Sequence, residues 1–414
     1  MSPAAPTFRK VFAVAEFRAL WLAHVLSVAG DQLARVALTV LVFDRTASAG
    51  WAALAYALTY LPDLLGGALG GLAARHPRRS VMVVADGLRA ALVAVMAIPG
   101  LPWPVAAALL VVVQLAAGPF QSARQAVLPD LLGADRLPVG QAVLSSTYQA
   151  ALVIGFGAGA AVVAWLGVTG ALWVDALTFA LSAVVLRRGL RPYPVAVADS
   201  HAPQRLSQGA ALVAGCRLVA ADRKLRSLLA IACCCGFYVI PEGLAVPISA
   251  QLGGPGALGW LLVANPVGTV LGALLISRLP RTRRLRLLGP LAVLTSLLLL
   301  PTGWSPGLIP IVGLWTLSGA CSAHDLITQV QYSLAAPPEQ RGQVIGVAIA
   351  ALRAAQGVGI AAAGALTQVL APTAVVGVAA AAGSVVAALA SAAWTRAAWP
   401  RRSPLGGTTP PAAG

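Results

Sequence analysis

Arg75-His76-Pro77-Arg78 closes one long apolar run, and Arg278-Leu279-Pro280-Arg281 closes another 203 residues further on. A second pair agrees with the first: Gly118 to Arg124 aligns with Gly319 to Asp325 at an offset of 201 residues. Either match alone is slight. Two offsets that agree point to one unit used twice in parallel. On both sides of these basic turns the sequence is apolar in lengths that suit a bilayer, since about 18 consecutive apolar residues make a spanning helix. Twelve spans are predicted, near 17–42, 50–74, 80–99, 104–123, 139–166, 169–187, 226–250, 256–277, 286–303, 307–334, 342–369 and 373–394. The expected fold class is an all-α membrane protein of about 12 transmembrane helices in a 6+6 pseudo-repeat.

Composition agrees. The 414 residues are 58% hydrophobic and only 10% charged, with a mean hydropathy of +0.82. That little charge cannot clothe a water-exposed surface of this size. The net charge of +16 would suggest nucleic acid in a soluble chain. Here the basic residues cluster between spans, so no nucleic-acid partner is expected. With the N-terminus in the cytoplasm, 25 of the 29 Lys and Arg fall on one side; Arg45 lies outside, and Arg35, Arg89 and Arg353 fall within spans. One missed span would scatter these charges over both faces. The chain divides into a cytoplasmic arm (1–16), a six-helix bundle (17–187), a cytoplasmic linker (188–225), a second bundle (226–395) and a disordered cytoplasmic tail (396–414). No apolar signal-peptide core precedes the first span. Cys216, Cys233, Cys234, Cys235 and Cys321 have no ligand or disulfide spacing, and His24, His76, His201 and His324 are scattered. Neither a metal site nor a cofactor is expected.

The junction after span 2 reads Gly70-Gly71-Leu72-Ala73-Ala74-Arg75-His76-Pro77-Arg78-Arg79. It resembles the signature loop of the major facilitator superfamily, G-x-L-A-D-R-x-x-R-R. Phe17 to Leu22, Gly30-Asp31, Ala85 to Arg89 and Ala123 to Pro129 are similar to the drug-exporter branch that holds macrolide-efflux and enterobactin-exporter-like proteins. The resemblance covers roughly residues 16–395. It implies a major facilitator fold, alternating access, and a cytoplasmic gate that includes this loop. Two departures stand out. Ala74 replaces the signature Asp that in the family helps lock the gate, and Gly155-Phe156-Gly157-Ala158-Gly159 keeps the glycines of an antiporter span 5 without its proline.

Charge inside a membrane marks candidate sites, since each such side chain costs about 2.5–3.5 kcal/mol at the bilayer centre. Asp31 sits about 21 Å along span 1, with Arg35 one turn further on the same face. Asp175 in span 6 shares its depth. A carboxylate held away from water can take up and release a proton during transport; alternatively, Asp31 and Arg35 merely pair to hold span 1 in place. Arg353, eleven residues into span 11, needs a polar cavity or an acid, and suits an anionic substrate group. Tyr148, Gln149 and Gln356 are candidate substrate contacts on cavity-prone spans. Asp63 follows Pro62 and Glu242 follows Pro241, where acids serve to cap backbone donors freed by the proline. A cytoplasmic gate is expected from Gly71, Arg75, Arg78, Arg79, Asp86, Arg89, Arg124 and Asp325, either as a switching salt-bridge network or as ordinary solvated pairs. Gly155, Gly157 and Gly159, with Gly357, Gly359 and Gly364, mark close-packing faces on spans 5 and 11. Trp51, Trp103 and Trp304 read as interfacial anchors.

These features predict a secondary transporter, not an enzyme. The resemblance sets the direction: proton-coupled efflux of small amphipathic or hydrophobic compounds. An importer on the same fold is the alternative, and a membrane-embedded lipid-modifying enzyme a distant one, since no acid cluster follows Asp86-Gly87. No G-x-x-x-x-G-K-[ST] loop is present, so ATP is not the direct driver. Expected partners are the lipid bilayer, a small-molecule substrate and protons, for a monomer. Richness in Ala, Arg and Gly suggests a GC-rich bacterial genome, hence a multi-pass protein of the bacterial plasma membrane with both termini cytoplasmic.

Overall fold

The computed structural model describes residues 8–60, 76–192, 208–337 and 340–398. Gly71, Ala74, Arg75 and Asp63 lie outside them, as do the last residues of the tail. The described chain is helical throughout. After a short helix, Phe8–Phe12, α1 runs over Ala15–Thr46. It ends where Ala47 turns left-handed at φ 49°, and the Ser48 hydroxyl then accepts the Trp51 amide to open α2, Ala49–Ala57. Pro77 precedes α3, Arg78–Met96.

Helical geometry next runs unbroken from Trp103 to Gly189 except at two glycines, Gly133 (φ 65°, ψ 171°) and Gly167 (φ 69°, ψ 176°). Only glycine adopts that conformation at little cost. The two breaks cut 87 residues, about 130 Å of helix, into rods that fit a bilayer: α4 (103–133), α5 (135–166) and α6 (168–189). The C-terminal half comprises α7 (Arg223–Leu252), α8 (Pro255–Ser277), α9 (Arg281–Leu297), α10 (Leu308–Ser322, continuing as His324–Ala335), α11 (Arg341–Leu366) and α12 (Pro372–Ala398). Eight described segments are long and apolar enough to cross a membrane, and one of them, Asp135–Gly189, has 55 residues and so holds two rods. With α2, α3 and α10 the layout is consistent with twelve spans. Two features depart from the sequence reading. The linker carries a helix, Gln208–Ala221, packed on α11, where a Cβ on Gly215 would stand 2.8 Å from the Gln343 carbonyl. And α10 is interrupted at Ala323.

Small residues set the close approaches. A Cβ on Gly268 of α8 would lie 1.9 Å from the Thr316 carbonyl of α10, and one on Gly359 of α11 would lie 2.0 Å from the Gly236 carbonyl of α7. Backbones this near exclude any side chain. Between the halves, Gly364 of α11 abuts Gly50 and Ala53 of α2, and Gly157 of α5 abuts Val263 of α8.

The apolar core is divided unevenly. At the end that carries the α1–α2 and α7–α8 turns, both halves share one cluster, from Leu38, Tyr56 and Phe156 to Ile248, Leu261 and Ile360. At the other end two clusters stay apart. Phe17, Met82, Val127 and Leu186 belong to one, and Leu228, Leu288, Ile327 and Val344 to the other.

Candidate functional site

Polar side chains collect at three places inside this apolar frame. The first lies between α1, α3 and α6 and is built on Arg89, whose side chain is wholly buried. The i, i+3 spacing puts Asp86 beside it on α3, and Arg89 Nη1 donates to Asp86 Oδ1 at 3.2 Å and to Ser27 Oγ at 2.7 Å. Its Nη2 donates to Asp31 of α1. The guanidinium stands 4.0 Å from the Phe179 ring centroid, in cation–π range. The Ser182 hydroxyl donates to the other oxygen of Asp86. Asp175 completes the group. It is fully buried, its Oδ1 accepts from Thr178 at 3.5 Å, and its Oδ2 has no hydrogen-bond partner among the described residues. Gly30 makes room for it, because a Cβ there would lie 2.5 Å from Asp175 Oδ1. Three carboxylates thus surround one guanidinium, and Asp31 keeps a side-chain exposure of 21% against 0% for Asp86. Buried charge is tolerated only when paired, and here three carboxylates share one cation.

The second group bridges the two halves. Arg35 of α1 stands over two rings, 5.6 Å from the centroid of Tyr56 on α2 and 5.2 Å from that of Tyr60 in the turn that follows it. Tyr56 donates its hydroxyl to Glu242 Oε2 of α7 at 3.1 Å. Arg353 of α11 approaches the Tyr60 ring at 5.7 Å and donates to Gln356 at 3.2 Å. The i, i+4 spacing of Tyr56 and Tyr60 turns both rings to one face, and the break in α7 around Pro241 brings Glu242 to meet them. Tyr148 of α5 lies within electrostatic reach of Arg35 and of Arg124, while Gln149 is exposed.

The third group belongs to the C-terminal half. Asp325 accepts the hydroxyl of Tyr238 and faces His324 at 3.5 Å.

The residues predicted as one gate are therefore distributed over several places. Asp86 and Arg89 join Asp31, because Arg89 lies eleven residues along α3 from Arg78, about 16 Å from the helix end. Asp325 joins Tyr238, and Arg124 is buried in the N-terminal half with its Nε unpartnered among the described residues. Arg78 pairs with Asp130 and donates to the Ala126 carbonyl at 2.7 Å, tying the start of α3 to α4; Arg79 is half-buried. Gly71 and Arg75 lie outside the described residues. The alternative Asp31–Arg35 pair gives way to Asp31–Arg89, with Arg35 turned to the tyrosines. Tyr56, Tyr60 and Glu242 were missed as members of a shared site. The available signals were the Tyr-x-x-x-Tyr spacing and an acid within an otherwise apolar span.

Residues 20–244 match the family model described as Major Facilitator Superfamily. Over 377 residues the chain is 31% identical to the "Multidrug efflux pump Tap" of Mycobacterium tuberculosis strain H37Rv, covering 84% of this chain and 85% of that protein. Among solved structures, an inward-facing and occupied bacterial homolog to human lysosomal transporter Spinster superposes with a TM-score of 0.71 at 13% identity, covering 92% of this chain and 96% of the other. A POT family transporter in complex with 5-aminolevulinic acid gives a TM-score of 0.69 at 14% identity, with 93% and 97% covered. At those identities the structural likeness is one of fold alone.

Proposed function

The chain belongs to the Major Facilitator Superfamily, and from that premise we propose that it exports small amphipathic or hydrophobic compounds by alternating access, driven by protons. It is a multi-pass membrane transporter rather than an enzyme, and small molecules are its cargo. The observation that carries the efflux reading is the 31% identity to multidrug efflux pumps along 84% of the chain, which takes in both halves. In this reading the transporting units are the bundles 17–187 and 226–395, joined by the linker 188–225, in a monomer. Both termini face the cytoplasm of a bacterial cell, because the basic turns then lie inside. The shared apolar cluster is then the closed outer end, and the two separate clusters flank a cavity open inward.

Asp31 is the coupling carboxylate in this scheme. It is the partly exposed member of the Arg89 group, so a proton arriving through an open cavity reaches it first. Protonation weakens its hold on Arg89, which still has Asp86 and Ser27 to bind. The contact between α1 and α3 loosens without leaving a bare buried cation. Substrate lies against Arg35, Tyr56, Tyr60 and Arg353, where both halves touch it.

The test is an efflux assay in cells lacking other exporters, run with a panel of amphipathic drugs and with a proton uncoupler. Uncoupler-sensitive efflux is expected. In proteoliposomes, Asp31→Asn should retain substrate binding and lose flux driven by a pH gradient. Undiminished flux in that variant would remove Asp31 from the mechanism.

A further inference from the structure

We infer that Arg124 anchors a carboxylate borne by the cargo, so that the molecules carried include acidic amphiphiles. Arg124 belongs to α4, nine residues before the break at Gly133, about 14 Å from that end of the rod. A side chain stretched out to water at the helix end would be exposed, yet this residue is only 8% exposed. Its Nε is shut off from solvent without a partner, and the guanidinium makes no hydrogen bond or ion pair among the described residues. Arginine does not shed its proton inside a protein, so the charge stays.

No side chain around it supplies the opposite charge. Asp31, Asp86 and Asp175 gather on Arg89, and Asp130 is held by Arg78. The groups within electrostatic reach of Arg124 are Tyr148 of α5 and His24 of α1, a phenol and an imidazole. A buried charge left uncompensated is strongly unfavourable. Arg89 is relieved by carboxylates, and Arg35 by two tyrosine rings. Arg124 has neither. In the other half the repeat puts Asp325 at this place, and there the Tyr238 hydroxyl binds it.

The chemistry of the place selects its ligand. A guanidinium fork meets a carboxylate with two parallel N–H donors. The Tyr148 hydroxyl, which makes no hydrogen bond among the described residues, offers a third. One positive charge matches the single negative charge of a carboxylate better than the roughly −1.5 to −2 of a phosphate. Tyr148 keeps an exposure of 36% and lies within reach of Arg35 as well. That sets the site beside the Arg35, Tyr56 and Tyr60 group, whose rings suit the apolar body of the same molecule. The inference deepens the export reading and rests on it for the direction in which the cargo leaves.

The probes are naphthoate, its neutral counterpart naphthyl methanol, and inorganic phosphate, each titrated by calorimetry into the purified full chain in detergent. Naphthoate should bind at least about tenfold more tightly than the alcohol, as one charge-assisted pair allows. Arg124→Met should remove that preference, and Tyr148→Phe should reduce it about threefold. Without ligand, Arg124→Met should unfold at a higher temperature than the unsubstituted chain, because the unpaired charge is gone. Arg45→Met, at an exposed residue near the end of α1, should change neither reading. Equal binding of acid and alcohol, a naphthoate preference that survives Arg124→Met, or phosphate bound as tightly as naphthoate would overturn the proposal. Should Arg124→Met not fold, Arg124→Lys decides: it keeps the charge and loses the fork, so affinity for naphthoate should fall at least about threefold, and unchanged affinity would count against the site. No gradient enters the measurement, so its failure and a failure of export in cells are told apart.

Discussion

Arg89 shows how much one residue governs. Its guanidinium is the shared cation of Asp31 and Asp86, with Phe179 covering one face. Removing one partner of a buried ionic group costs about 3–5 kcal/mol, because the remaining charge is left uncompensated. Arg89→Gln is therefore expected to lower stability by about 3 kcal/mol, seen as a lower unfolding temperature in detergent. Arg89→Gln combined with Asp86→Asn should be less destabilised than the two single losses added together, since each removes the charge that penalises the other. Additive losses would mean that the two residues do not share a network. Sequence alone exposed Asp31, Asp175, Arg89 and Arg353 as candidates, because any charge in an apolar span is conspicuous. Their partners were hidden. An i, i+4 spacing put Arg35 beside Asp31 on one face, but rotation and tilt set by neighbouring helices gave Asp31 to Arg89, and those are packing variables absent from local sequence.

Among the helical elements, the breaks are as informative as the rods. Gly167 holds a conformation that an alanine adopts only under strain, whereas Gly87 is helical and exposed on α3, and a methyl added there would meet nothing within 4 Å. The same substitution should then act in opposite directions at the two sites. Gly167→Ala is expected to destabilise by about 1 kcal/mol or more, and Gly87→Ala to stabilise by about 0.5–1 kcal/mol through reduced backbone freedom. Thermal unfolding of the two purified variants compares them directly. Equal shifts would mean that the α5–α6 turn carries no strain. Hydropathy and charge made the spans legible, since length and net apolarity are summed over many residues. The interruption at Ala323 and the helix Gln208–Ala221 were not legible. The first follows from packing of α10 against α7 and α9 with no proline to announce it, and the second lies in a segment whose basic residues mask a short apolar stripe.

In the whole molecule, the two halves meet through a shared core at one end and separate cores at the other, the division that the proposed alternating access needs. Gly364 sits at the meeting of α2 and α11, where a Cβ would come within 2.9 Å of Ala53 Cβ and 3.0 Å of the Gly50 carbonyl. A leucine there acts as a wedge that opposes the joined end without touching Asp31, Arg89 or the tyrosines. Overpacking of this kind costs about 2 kcal/mol, a shift of about thirtyfold toward the state in which the two helices part. Ser249, buried and beside the cavity of about 240 Å³ at that end, reports the opening. In a chain whose five native cysteines are replaced, Ser249→Cys should react slowly with an impermeant maleimide applied outside, and Gly364→Leu should raise that rate at least about tenfold. Gly346→Leu, at a glycine with open space beside it, should leave the rate unchanged. Faster labelling in both variants would indicate general loosening, and no change in either would mean that the glycine contact between α2 and α11 does not hold the closed end.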